Sequence, residues 1–256
     1  MKILNKLVCT LVVMGVLASC TKNELNITGS TVVDNSSTQV KVFFVSAYRS
    51  NPAHQININD VRVSNVLTTA TPFPGGGLNT GGGSTADYLA IKPGDNKFSV
   101  SVPKKGTNTD SVVLAAGTNT LEGGKKYSLY VTDTAANTSF VLVQDTLARA
   151  DSGFVKYKFV NLIPDQAAID LYIGTVKVAS NIAYKAVSAS FTLPSNNAST
   201  SWTIKAAGGT ANIGSAYSSA TTISNQRVFT IVARGYSKIT SSSDPRYPKV
   251  SFSFNL

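Results

Sequence analysis

Along most of the chain, apolar and polar residues alternate in short runs. Ile169, Leu171 and Ile173 fall on one side of an extended segment, with Asp170 and Tyr172 on the other. Trp202 and Ile204 share a side opposite Thr203 and Lys205. A period of two marks a strand with one face in a core. Beyond the first twenty residues no stretch has the 3.6-residue apolar spacing of an amphipathic helix. Thr, Ser, Asn, Val and Gly dominate the composition, which suits β-branched strands joined by tight turns. The pattern predicts an all-β fold.

The pattern also occurs twice. Val40-Lys41-Val42-Phe43-Phe44-Val45 matches Val155-Lys156-Tyr157-Lys158-Phe159-Val160. Ile56-Asn57-Ile58 parallels Ile169-Asp170-Leu171, and Arg62-Val63-Ser64-Asn65 parallels Lys177-Val178-Ala179-Ser180-Asn181. Lys126-Tyr127-Ser128-Leu129 aligns with Arg227-Val228-Phe229-Thr230, and both copies close on an alternating strand, Phe140–Val143 and Val250–Phe254. The offset between copies is far too long for a solenoid repeat and predicts tandem domains. Each copy holds about seven strand-like runs, the profile of an immunoglobulin-like antiparallel β-sandwich. The expected domains are 39–149 and 150–256, divided near Ala148 to Gly153. Only the first copy carries a long Gly-rich loop, Thr68 to Ser84, whose length and composition fit either a functional or a disordered segment.

The N-terminus has a different pattern. Lys2 and Lys6 precede an apolar run from Leu7 to Leu17. The run is shorter than the ~20 residues that span a bilayer and has the length of a signal h-region. Leu17-Ala18-Ser19-Cys20 then resembles the bacterial lipobox, which implies cleavage before Cys20 and acyl chains on its thiol. Residues 1–19 are read as a lipoprotein signal peptide, and 20–38 as the lipidated Cys with a flexible tether. A tether of that length reaches roughly 20–25 Å. The membrane is therefore a partner through the acyl chains on Cys20, and the expected location is the outer membrane. Thr21-Lys22-Asn23-Glu24 holds a single acid, which does not choose between its periplasmic and surface faces.

Charge and chemistry narrow the picture further. Of the two cysteines, Cys9 lies in the signal and Cys20 is acylated, so the mature part has no free thiol for a disulfide, a zinc site or catalysis. The chain is basic, with 23 Lys and Arg against 13 Asp and Glu. No basic run exceeds two residues, and export argues against nucleic acid as a partner. His54, the sole histidine, reads as a turn residue before a strand, without the nucleophile elbow of a hydrolase. Zinc needs clustered N and S ligands, so no metal or cofactor is expected. A glycosidase needs two carboxylates across a cleft. Asp165 reads instead as a turn residue, and Asp170 as the solvent side of a strand. The stretch Gly75 to Ser84 lacks the Lys of a phosphate loop, and Asn57–Asp60 is short of acids for calcium. Trp202 reads as core. Phe73, between prolines, and Tyr247, in Pro245-Arg246-Tyr247-Pro248, are loop aromatics suited either to ligand contact or to stapling a loop onto the sandwich.

One resemblance adds to this. Asn161-Leu162-Ile163-Pro164-Asp165, Ile169 to Gly174, Asn181-Ile182-Ala183-Tyr184 and Ser188 to Pro194 together resemble the bacterial family catalogued as domain of unknown function 4397. The first copy keeps that family's aromatic-strand-Pro-Gly turn in Tyr88 to Gly94. The second copy has Ser195 in place of the turn Gly, and Lys185 where a Gly often follows the Tyr. The resemblance implies exported or lipid-anchored proteins of Bacteroidota and other bacteria, with immunoglobulin-like domains and no established activity. The expectation is a lipid-anchored envelope protein, not an enzyme, with an interaction, adhesion or spacer role. The alternatives are a carbohydrate-binding lipoprotein that uses Phe73 and Tyr247, with a glycan or protein partner, and a hydrolase with an unrecognised carboxylate pair.

Overall fold

The computed structural model describes residues 36–45, 53–67, 73–74, 87–104, 110–145 and 148–256. The signal, Cys20, the tether up to residue 35, and the Thr68–Ser84 loop apart from Phe73 and Pro74 lie outside these residues.

The described residues form an all-β structure of two sandwiches built on one plan. The first contains β1 (Thr38–Phe44), β2 (Gln55–Ile58), β3 (Val61–Arg62), β4 (Leu89–Ile91), β5 (Gly94–Pro103), β6 (Asp110–Leu121), β7 (Lys126–Thr132) and β8 (Ser139–Gln144). The second contains β9 (Phe154–Leu162), β10 (Ala168–Ile173), β11 (Val176–Ala183), β12 (Phe191–Pro194), β13 (Ser201–Ala206), β14 (Tyr217–Ser218), β15 (Val228–Arg234) and β16 (Lys249–Phe254). The sheets run β4-β1-β7-β8 and β3-β2-β5-β6 in the first, then β12-β9-β15-β16 and β11-β10-β13-β14 in the second. Each strand therefore has a counterpart eight elements later. The eighth strand per copy, beyond the seven expected, comes from counting pieces as short as β3 and β14, which have two residues each.

Between the named strands, pairing is antiparallel except once in each copy, where β1 runs parallel to β7 and β9 parallel to β15. The partners lie far apart in sequence, so no hairpin constrains their direction.

The ladders also correct two sequence alignments. The β2–β3 hairpin closes on Ile58↔Val61 and the β10–β11 hairpin on Ile173↔Val176. Ile56 thus corresponds to Leu171, two residues beyond the sequence match. A slip of two leaves faces unchanged, because the pleat repeats every second residue. In β7 the slip is one residue and the faces change. Val42 pairs with Leu129, and Tyr157, its counterpart, pairs with Phe229. The match of Lys126 to Arg227 was driven by like charge, whereas register is set by which residues enter the core.

The first core gathers Val40, Val42, Phe44, Ile56, Phe98, Val100, Leu129 and Val131 between its two sheets. The second gathers Val155, Tyr157, Phe159, Ile169, Leu171, Trp202, Ile204, Phe229, Ile231 and Phe252. Trp202 is fully buried, as expected, and its indole N–H donates to Thr222 Oγ1 at 2.9 Å. A third apolar layer joins the copies. Phe43, Val45, Tyr130, Val141 and Val143 of the first pack on Val160, Leu162 and Val232 of the second. The sheets β4-β1-β7-β8 and β12-β9-β15-β16 are therefore covered on both faces, and β15 is buried at every position. Strands buried on both sides need apolar residues of both parities, and the runs Val-Phe-Phe-Val and Val-Phe-Thr-Ile-Val supply them.

Candidate functional site

The layer between the sandwiches is not wholly apolar. On β1, Val40, Val42 and Phe44 point into the first core, which sends Lys41 to the opposite face. Lys41 is fully buried there. Its ammonium lies 3.8 Å from Asp145 Oδ2, also without solvent exposure, and donates to Asn255 Oδ1 at 3.0 Å and to the Phe254 carbonyl at 3.3 Å. Asp145 accepts from Tyr88 Oη at 2.8 Å and from Ser128 Oγ at 2.9 Å. Asn255 Nδ2 donates on to Thr230 Oγ1 at 2.8 Å. The groups thus form one connected network that crosses from the first sandwich to the second.

Burial lowers the Lys41 ammonium below its ordinary value; the Asp145 charge works against this, and Lys126 adds to it. Burial, together with the Asp145 charge and hydrogen bond, pushes the Tyr88 hydroxyl strongly upward, so it stays protonated as a donor. Buried polar groups that satisfy one another in this way fix a single register between packed surfaces.

A cleft of about 860 Å³ opens over this network, lined by both sandwiches. The first supplies Gln39, Asp87, Tyr88 and Lys126; the second supplies the turn Asn225-Gln226-Arg227 and the strand end at Phe254 and Asn255; Arg149 comes from the segment between them. Lys126 Nζ stands 4.7 Å from the centre of the Tyr88 ring and Lys41 Nζ 4.6 Å from it, while the Arg227 guanidinium lies 4.6 Å from the centre of Phe254. Cations held against ring faces have fewer orientations open to them. Arg149 and Arg227 are exposed.

The residues singled out in the sequence lie elsewhere. Phe73 packs half-buried against the first core, and its backbone exchanges hydrogen bonds with Val42 at 2.7 and 2.8 Å. Tyr247 is half-buried beside β16, its hydroxyl 3.0 Å from Ser215 Oγ, and lines a separate hollow of about 300 Å³. The structure does not bring the two aromatics together. His54 corrects its assignment to a turn. It is fully buried, forms a β-bridge with Leu67 just before β2, and stacks on Phe44 with ring centroids 4.9 Å apart. Burial lowers its pKa to about 4.

Asp170 corrects another expectation. It lies on the strand face opposite Ile169 and Leu171, yet that face is not solvent: Asp170 is 1 % exposed. Its carboxylate meets Lys177 Nζ at 2.7 Å and the backbone N–H groups of Asn181 and Gly208 at 2.7 and 3.3 Å. Burial works to raise its pKa, and these hydrogen bonds outweigh burial and lower it. Asp165 is a turn residue, as expected, and accepts from the N–H groups of Ser237 and Lys238. Asp244 is bound to Arg246 at 2.6 Å. Among the described residues, no three His, Cys, Asp or Glu side chains gather in a way that could hold a metal ion.

A family model described as a domain of unknown function, DUF4397, matches residues 40–172, just over half of the chain. The chain belongs to the DUF4397 family. The matched span covers the first sandwich, β9 and most of β10. It ends before Asn181–Tyr184 and Ser188–Pro194, which carried much of the resemblance in the second copy. No curated protein matches this DUF4397 chain. The same eight-strand order recurs beyond the matched span, so the second sandwich repeats the plan of the first.

Sequence reasoning missed the network and the cleft. The available signals were a Lys inside the apolar run of β1 and an Asp directly after β8. A charge flanked by core residues on a strand with two apolar faces needs a buried partner.

Proposed function

We propose that this DUF4397 chain is an exported, lipid-anchored envelope protein with a non-enzymatic interaction, adhesion or spacer role, in which two immunoglobulin-like sandwiches act as one stiff body. The observation that carries this reading is the layer shared between the sandwiches, in which Phe43 and Tyr130 pack with Val232, together with the Lys41–Asp145 network that reaches Asn255 of the second sandwich. Two domains on a free linker would bend at the linker, whereas a large apolar interface resists relative motion. The lipobox ending at Cys20 and the polar tether support attachment to the outer membrane, with the body held off its surface. Two four-stranded sheets per copy, with the first strand parallel to the seventh, support the immunoglobulin-like assignment.

The full chain, extracted in detergent and unfolded in urea, tests the stiff body. Trp202 fluorescence reports the second sandwich, and a fluorophore at Lys97 on β5 reports the first. The two curves should coincide, and Asp145→Ala should move both by about 3–5 kcal/mol, because it leaves the Lys41 ammonium buried without its carboxylate. Two separate transitions would overturn the reading. Labelling with radioactive palmitate tests the anchor: the wild type should take up label and Cys20→Ala should not.

A further inference from the structure

The cleft between the sandwiches has the composition of a binding site for an acidic sugar. Three cations, Lys126, Arg149 and Arg227, come to its walls from three separate parts of the chain, against one acidic side chain, Asp87. The amides of Gln39, Asn225 and Gln226 stand among them. Its volume, about 860 Å³, lies within the range of small-molecule sites and would hold a short oligosaccharide.

Three features select among anionic ligands. The lining comes from turns and from the ends of strands such as β7 and β16, not from the length of a strand, which gives an acidic peptide few backbone groups to pair with as an added β-strand. The two aromatic rings, Tyr88 and Phe254, already have cations against their faces, which disfavours a nucleotide that binds by base stacking. What remains is hydrogen bonding from amides together with carboxylate-matching guanidinium groups, which is the chemistry of hydroxyls beside a carboxylate. We propose that the cleft binds a uronate-bearing oligosaccharide, with Arg149, Arg227 and Lys126 on the sugar carboxylates and the amides of Gln39 and Asn225 on its hydroxyls. This rests on the reading of the two sandwiches as one body, since neither alone encloses the cleft. The buried network beneath then has a role: Tyr88 and Asn255 line the cleft and are themselves fixed through Asp145 and Lys41, so the floor is set before ligand arrives.

The test is calorimetric titration of the full chain in detergent with oligogalacturonate, a hyaluronan tetrasaccharide and oligoalginate. The same oligosaccharides with carboxyls reduced to alcohols, a sulfated oligosaccharide and a poly-glutamate peptide serve as comparisons. At least one uronate ligand should bind and lose binding on carboxyl reduction. The double variant Arg149→Gln/Arg227→Gln should weaken it at least about tenfold, the loss expected for two charge-assisted hydrogen bonds. Lys97→Gln, which removes a cation paired with Asp60 outside the cleft, should change it less than about twofold. Equal affinity for the reduced sugar, equal loss in Lys97→Gln, tighter binding of the sulfated sugar or the peptide, or no binding to any uronate would each overturn the proposal. The coincidence of the two unfolding curves is read without ligand, so failure of the binding site and failure of the single body are told apart.

Discussion

The two sandwiches share a strand order and differ in what fills it. In the second, the core is aromatic: Tyr157 stacks on Phe191 with centroids 5.4 Å apart, Trp202 meets Tyr157 at 5.2 Å and Phe252 at 5.3 Å, and Phe252 meets Phe229 edge-on at 5.7 Å. In the first, the corresponding space holds mainly Val, Ile and Leu around Phe44 and Phe98. The ladders place Phe98 opposite Ile58 and Trp202 opposite Ile173, so the two are counterparts. By the same register His54 stands where the second copy has Ile169. The difference teaches that alternation and the strand ladders define this fold, while the identity of the core residues is free to drift as long as volume and satisfied polar groups are kept.

The largest test of that comparison truncates the two counterparts. Trp202→Ala should cost about 3–5 kcal/mol, since it removes a buried ring from a packed aromatic cluster and leaves Thr222 Oγ1 without its indole donor. Phe98→Ala removes a smaller ring with no hydrogen bond and should cost less within that range. Urea unfolding of both variants measures the difference; equal losses would show that the aromatic cluster adds nothing beyond burial.

Next in size is the pH response of the first copy. His54 takes up its proton at about 4 in the native state and near 6.5 when unfolded. Between those values the unfolded chain binds more protons, so stability falls as pH drops from 6.5 towards 4, by up to about 3 kcal/mol. It is complete above 6.5, and this contribution is flat below 4. His54→Ile, which installs the residue of the second copy, should remove the slope. An unchanged slope in that variant would assign it to other groups.

The smallest effect concerns backbone conformation. The first copy opens β5 on Gly94 at a left-handed position, φ 99°; the second has Ser195 in that place and carries a left-handed residue of its own, Lys185 at φ 66°, between β11 and β12. Lys185→Gly should stabilise by about 0.5–1 kcal/mol, the relief of strain less the entropy lost by glycine. Gly94→Ala should destabilise by about 1 kcal/mol, although the space around its Cβ is open. Thermal midpoints of the two variants should move in opposite directions.

The duplication, the all-β class and the burial of Trp202 were legible because a period of two is a local property that each strand displays on its own. Lys185 was legible as a departure from the expected glycine, and the backbone there is left-handed, a conformation that glycine adopts without strain. The joined sandwiches were not read, although the signal was present. Lys41 and Phe43 alternate with core residues on β1, and a strand with a single core would give that other face to solvent. Periodicity identifies faces without saying what covers them. Asp170 was placed on the correct face for that reason and still misread as exposed. The cleft was out of reach, since Lys126, Arg149 and Arg227 are brought together only by packing between the copies.

The shared layer also limits how such a gene can change. Counterpart positions facing it are no longer alike: Phe43 corresponds to Lys158, and Tyr130 to Thr230. Bulk on the first copy, Phe43 and Tyr130, is met by the smaller aliphatic Val160, Leu162 and Val232 of the second, as a plug meets its socket. Two plugs or two sockets would not fit, so recombination that replaced either copy with a second version of its sister would yield a mismatched pair. Having specialised, the duplicated halves are inherited as one part.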